Sequence, residues 1–291
     1  MKRLHRRAAL LLGAVAAAAA PLEAQGTAAD TVLPGRIVDV AAGEYAFSAP
    51  DTISAGLTTF RLRQEGRVRG GTHLAPWGRD SLVTHAGDAT AGFHMLWVVR
   101  LDAGRTAADL FAAERDRTPM PGRILGGPGF AYPPGTTNAT MMLETGNYVL
   151  ACFVGSARED RNRYHLLKGM FRPLTVLPSG SAPASLPGPD VILTVDSADR
   201  VTFSTPVSRA GRWRMLVRNN SARRLEFAVV RVFPGHTAEA ALAWRRRDGK
   251  PPVSEPWGGL AGLAQGDSML TTITFIPGTY IAHGATIRVT E

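Results

Sequence analysis

The chain has a single cysteine, Cys152, within the run YVLACFVGSAREDRNRYHLLKGMFRPLTV that spans 148–176. Twelve residues separate it from His165, and Met170 follows five positions later. A thiolate, an imidazole and a thioether are side chains that hold soft and borderline metal ions. Two readings are open. The three residues could be ligands of one ion, gathered by a strand–loop–strand segment. Alternatively Cys152 is a buried, inert thiol, as free cysteines commonly are. His165 is then a surface histidine on a charged loop and Met170 is core packing.

The surroundings of that cysteine make it worth explaining. The start of the chain, MKRLHRRAALLLGAVAAAAAPLEAQG, has a basic head, a short Ala/Leu run and small residues at its end. This is the pattern of a secretory signal, expected to cover 1–24, and its apolar run is too short for a stable membrane anchor. The Arg6-Arg7 pair leaves both the general and the twin-arginine export routes open. An exported protein meets oxidising conditions, where cysteines usually pair. A lone cysteine has no intramolecular partner. The expected location is therefore periplasmic or extracellular.

Length and composition bound the rest. At 291 residues, 45% hydrophobic and 20% charged, the chain suits two ordinary domains. Its formal charge is +9, of which the leader supplies +3, leaving +6. Nearly all the positive charge is arginine, with lysine only at 2, 168 and 250. No basic stripe interleaved with aromatics and no nucleic-acid motif accompanies it, so nucleic acid is not an expected partner. The RRRDGK run at 245–250 reads as a solvated loop.

The elements that must position the candidate ligands are mostly strands. Short runs rich in Val, Ile, Leu, Phe, Thr and Tyr end at Gly, Pro, Asp or Asn: 58–64, 94–101, 139–144 and 147–154. Two alanine-rich segments, 106–115 and 237–246, open with a capping threonine and read as short helices. They expose an internal repeat. WVVRLDAGRTAADL (97–110) matches AVVRVFPGHTAEAA (228–241). Blocks at 45–62 and 126–148 match 201–217 and 258–280 in the same order, and the first half carries an insertion near 66–89. A Pro/Gly/Ser-rich stretch lies between the halves. The expected organisation is all-β: a domain over 36–178, a linker over 179–189 and a second domain over 190–291. Each would be a β-sandwich or barrel with one short helix.

On particular residues both halves resemble cupredoxins, the Greek-key β-sandwich family of type 1 copper proteins. In the first half the resemblance covers 38–178. SAGLTTFRLRQEG looks like the early strands and GFHMLWVVRL like the strand bearing a first histidine ligand. TGNYVLACFV is similar to the strand leading to the cysteine, and HLLKGMFRPLTV to the ligand loop and last strand. The resemblance implies one copper ion held by His94, Cys152, His165 and Met170, and a redox protein as partner. The separation of Cys152 from His165 departs from the short loops of plastocyanin-like members. Soft thiolate with two imidazoles and a weak thioether is a donor set that suits copper. In the second half the repeat places Leu225 at the position of His94 and Gly284 at that of Cys152. That half is expected to carry the fold without the metal.

The histidines also bear on enzyme classes. Multicopper oxidases and nitrite reductases carry a histidine beside the type 1 cysteine and His-x-His pairs. Here Ala151 and Phe153 flank Cys152, and no His-x-His occurs. His73 and His85 lie in the insertion and read as loop histidines. No G-x-S-x-G, H-E-x-x-H or C-x-x-C is present. The expected function is an exported copper-binding protein that carries single electrons or holds copper. The competing expectation is a metal-free β-sandwich binding module of the cell envelope.

Overall fold

The computed structural model describes residues 33–43, 45–65, 94–130, 135–155, 164–180, 184–244 and 253–291. The expected leader, the insertion with His73 and His85, and the RRRDGK run lie outside them. The described residues of the first half form β1 (Arg36–Gly43), β2 (Ala46–Ser48), β3 (Thr52–Ser54), β4 (Gly56–Gln64) and β5 (Trp97–Leu101). Helix α1 (Ala107–Asp116) follows, then β6 (Gly122–Pro128), β7 (Thr136–Leu143), β8 (Gly146–Ala151) and β9 (Phe171–Leu177). The second half gives β10 (Val191–Val195), β11 (Val201–Phe203), β12 (Gly211–Asn219), β13 (Leu225–Val232) and α2 (Ala238–Ala243). It ends with β14 (Ser254–Leu263), β15 (Ser268–Phe275), β16 (Gly278–Ala282) and β17 (Ala285–Val289).

These strands make two sheets. One runs β11-β10-β12-β15-β7-β4-β1-β2, the other β17-β16-β13-β14-β6-β5-β8-β9-β3. Alternation along the strands explains which faces meet. In β1, Val38, Val40 and Ala42 turn inward while Asp39 faces solvent and pairs with Arg61 of β4. Strand β5, WVVRL, is buried along most of its length, as expected of a central strand covered on both faces. Buried side chains of both sheets and both halves join in one contiguous cluster, with Phe60, Tyr148, Phe227, Phe275 and Tyr280 among its largest members.

The same pairings recur in each half. β1 pairs in parallel with β4, and β10 in parallel with β12. β5 is flanked by β6 and β8, and β13 by β14 and β16. Arg100 sits opposite Tyr148 and Arg231 opposite Tyr280. Each of these tyrosines donates its hydroxyl hydrogen to a main-chain oxygen four residues upstream, Tyr148 to Glu144 and Tyr280 to Ile276. Helix α1 begins with a reciprocal cap. Thr106 Oγ1 accepts from the Asp109 amide (3.3 Å) while Asp109 Oδ2 accepts from the Thr106 amide (2.7 Å). Thr237 caps α2 in the same way on one side only, and α2 is shorter than the 237–246 run suggests.

The two halves share both sheets. β6 pairs with β14 through Pro128–Leu260 and Gly127–Ala261, and β7 pairs with β15 through Thr140–Leu270. Where β7 and β15 diverge, Asn138 bridges them. Its Nδ2 donates to Thr272 O (2.7 Å), its Oδ1 accepts from Thr272 N (2.8 Å), and its own carbonyl accepts from Thr271 Oγ1 (2.8 Å). The side chain thus substitutes for a peptide group in the ladder.

Candidate metal centre

Three chain segments converge at one end of the nine-stranded sheet. His94 lies three residues before β5, so the strand is shorter at its start than the 94–101 run suggests. Cys152 follows the last residue of β8, outside the strand proper. His165 opens a 3-10 turn, His165–Lys168, that ends at Gly169 in a left-handed conformation (φ 98°). Glycine is suited to that reversal, because other residues there bring Cβ against the carbonyl. The turn leads directly through Met170 into β9.

Main-chain bonds lock this corner together. Cys152 N donates to Met170 O (3.1 Å), and Leu166 N donates to Cys152 O (2.9 Å). His165 N donates to Val154 O and Met170 N to His165 O, both at 3.0 Å. Cysteine, histidine and methionine are therefore neighbours by backbone pairing, despite the chain that separates them. His94 is fixed from the other side. Leu96 N donates to Pro128 O (3.0 Å), and the buried Gln64 side chain donates to His94 O (2.7 Å).

The side chains meet. His94, Cys152 and His165 are each 0% exposed, and their ligand atoms all lie within 4.8 Å of one another. His94 Nδ1 stands 3.2 Å from His165 Nδ1, and Cys152 Sγ stands 3.6 Å from the same His165 nitrogen. Imidazole and thiolate bonds to a tetrahedral ion of about 2.0 and 2.3 Å would set their donor atoms roughly 3–4 Å apart. The two separations from His165 Nδ1 have that spacing and the third is no more than 4.8 Å, so the residues fit a single bound ion. Met170 is fully buried beside them, its backbone bonded to both Cys152 and His165.

Electrostatics favours a neutral thiol in the metal-free site. Burial pushes Cys152 up to about 12, against the opposing effect of main-chain amides of Val154 and Met95 that donate to the sulfur. The ordinary value is 9.0, so the folded chain binds this proton more tightly than the unfolded chain does. The resulting stability is complete below about pH 9 and is lost as pH rises from there toward 12. Urea denaturation of the metal-free protein should show stability falling by up to ~1.4 kcal/mol per pH unit in this window. Cys152→Ser removes that slope while leaving the contributions of Tyr148 and Tyr280, which burial also raises, so equal slopes in the two proteins would refute the assignment.

Two residues near the centre have no motif to announce them. Gln64 occupies the inward parity of β4, in register with Phe60 and Leu62. A polar residue at a core position was its available signal. Tyr45 sits in the short β1–β2 turn, its ring edge-on to both imidazoles. Nothing in its local sequence marks it. In the second half Val230 pairs with Ile281 and Arg231 with Tyr280, as Val99 pairs with Val149 and Arg100 with Tyr148 in the first; counted along these strands, Leu225 falls at the position of His94 and Gly284 at that of Cys152. Among the described residues, the His/Cys/Asp/Glu group suited to holding a metal is the one in the first half.

No helix of the described residues is long and apolar enough to cross a membrane. No protein-family model matches the chain, and no curated protein matches it. Solved structures are similar in part. Reduced auracyanin from Roseiflexus castenholzii is 16% identical over 50% of this chain and 98% of its own, with a TM-score of 0.29. Auracyanin A, a "blue" copper protein from Chloroflexus aurantiacus, is 18% identical over 48% of this chain and 97% of its own, with a TM-score of 0.27. A Cu-containing nitrite reductase from Thermus scotoductus is 13% identical over 87% of this chain and 61% of its own, with a TM-score of 0.22.

Proposed function

We propose that the protein binds one copper ion through His94, Cys152 and His165, with Met170 as a weak fourth ligand, and serves as a one-electron carrier or copper-holding protein. The observation that carries this reading is the convergence of one thiol and two imidazole nitrogens, all fully buried and within 4.8 Å of one another. One thiolate with two imidazoles is a donor set that suits copper, and the fold brings all three to one enclosed corner.

The chain's own residues define what the site does. A bound copper would supply a single-electron couple. Cys152 must give up its proton on binding, so uptake releases acid and weakens as pH falls. The amides of Val154 and Met95 aim at the sulfur and stabilise its thiolate form. Gln64 holds the His94 backbone, and the bonds among Cys152, Leu166 and Met170 keep the donors in place whether or not an ion is bound. A corner held in this way changes little when charge on the ion changes, which suits electron transfer.

The wider reading follows from the same features. The two halves are tandem Greek-key cupredoxin-like domains, the second of which lacks ligands and serves as structural support. The protein is exported through its leader and meets a redox protein partner outside the cytoplasm. The recurrence of strand pairings and of the tyrosine bonds supports the duplication.

Copper titration of the purified full chain tests the central claim. The expected result is one copper per chain with an intense band near ~600 nm from thiolate-to-copper charge transfer. Stoichiometric binding without that band would mean that the bound copper is cuprous or lies off the Cys152 thiolate, and would favour a copper-holding protein over an electron carrier. No binding would leave the metal-free module of the cell envelope as the function.

A further inference from the structure

The ring of Tyr45 lies 4.9 Å from that of His165 and 6.3 Å from that of His94, centroid to centroid, at 86° and 72°. It is half-buried, whereas both imidazoles are wholly enclosed. The Lys168 ammonium sits 4.7 Å from the centre of the Tyr45 ring and 3.4 Å from its hydroxyl. Lys168 ends the same 3-10 turn that His165 begins. The stack therefore runs from the ligand turn, over the tyrosine, and back onto both ligands.

The backbone beneath Tyr45 is unusual. Its φ is +53°, in the left-handed region that a bulky side chain seldom adopts. Such a conformation costs on the order of 1–3 kcal/mol and persists where the surroundings require it. By the match of Phe47-Ser48 to Phe203-Ser204, Val201 stands at the corresponding place in the second half, where the ligands are also missing. The tyrosine and the ligands occur together.

We propose that Tyr45 is a positioning residue that closes the metal centre: its ring bars external ligands from the ion and holds the two imidazole planes, with Lys168 pinning it from above. The proposal rests on the copper reading above. A tyrosine that served only to fill space would contribute to stability and leave the accessibility of the ion unchanged.

The test uses the copper-loaded full chain with Tyr45→Phe, Tyr45→Leu, Tyr45→Ala and Lys168→Gln. Each is challenged with millimolar azide, read by visible and electron paramagnetic resonance spectra, and with excess EDTA, read as the rate of copper loss. Wild type and Tyr45→Phe should ignore azide. Tyr45→Ala should bind one copper, respond to azide and lose copper roughly 10-fold faster or more. Tyr45→Leu should fall between them, which keeps the test open if the alanine variant does not fold. Lys168→Gln should speed copper loss more modestly. Azide resistance and wild-type exchange in a copper-loaded Tyr45→Ala or Tyr45→Leu protein would overturn the closure while leaving the copper reading intact. Failure of wild type to bind copper would overturn both.

Discussion

Replacing Cys152 with serine should abolish the intense visible band of the copper-loaded protein and reduce copper affinity by roughly 100-fold or more, while the fold persists. The loss follows from the donor. The absorption arises from a thiolate bound to copper, and a serine hydroxyl does not provide a comparable sulfur-to-copper transition. Loss of supporting interactions around a metal already costs 10–100-fold, so loss of a ligand should cost at least as much. The fold persists because the backbone of Cys152 makes its bonds to Met170 and Leu166 without the side chain. The smaller oxygen can still accept from the amides of Val154 and Met95 that face the sulfur. Burial of an imperfectly bonded hydroxyl costs about 1–3 kcal/mol. Visible spectroscopy and isothermal titration of the variant decide the matter. Retained colour with unchanged affinity would move the copper away from Cys152 altogether.

The elements around the candidate centre were legible because they lie where local rules are strong. The threonines that open α1 and α2 have short side chains that cap helices, and both do so. The strands leading to Cys152 and away from Met170 announce themselves by β-branched and aromatic residues. The 3-10 turn that brings His165 onto Cys152 was less legible, since its direction depends on Gly169 and on bonds to a neighbouring segment. Tyr45 was not legible at all. Its contact with the imidazoles crosses from one strand turn to two distant segments, and no periodicity encodes that.

The junction between the halves shows a second limit. Alternation tells which side of a strand is inward but not which edge will find which neighbour. No local pattern marks Asn138, yet its side-chain amide bonds to Thr272 in β15. Arg123 reaches Asp267 across the same seam (2.6 Å). Both contacts join residues more than a hundred positions apart, so only the folded chain reveals them.

That seam reaches the candidate metal centre, and one substitution should expose the link. Gly262→Ala should destabilise the protein by about 2–5 kcal/mol, the sum of a left-handed backbone cost and overpacking. Gly262 belongs to β14 and has φ +68°; a Cβ there would stand 2.2 Å from Cδ1 and 2.3 Å from Nε1 of Trp97. Trp97 opens β5, its backbone pairs with Ala151, and its ring packs edge-on against Phe153 at 5.5 Å, so it is tied to both neighbours of Cys152, to one through the main chain and to the other through the indole. Gly266 supplies the control. Its φ is +79° and nothing lies within 4 Å of its Cβ direction, so Gly266→Ala bears the backbone cost alone, about 1–2 kcal/mol. The difference between the two urea midpoints therefore measures the contact between the ligand-free half and Trp97. A displaced indole should also perturb the segment Ala151–Phe153, and with it the colour of the copper-loaded protein. Equal destabilisation by the two substitutions, with identical spectra, would show that the second half does not brace the site through Trp97. A larger loss at Gly262 with a shifted band would identify the ligand-free half as part of the scaffold that holds Cys152 in place.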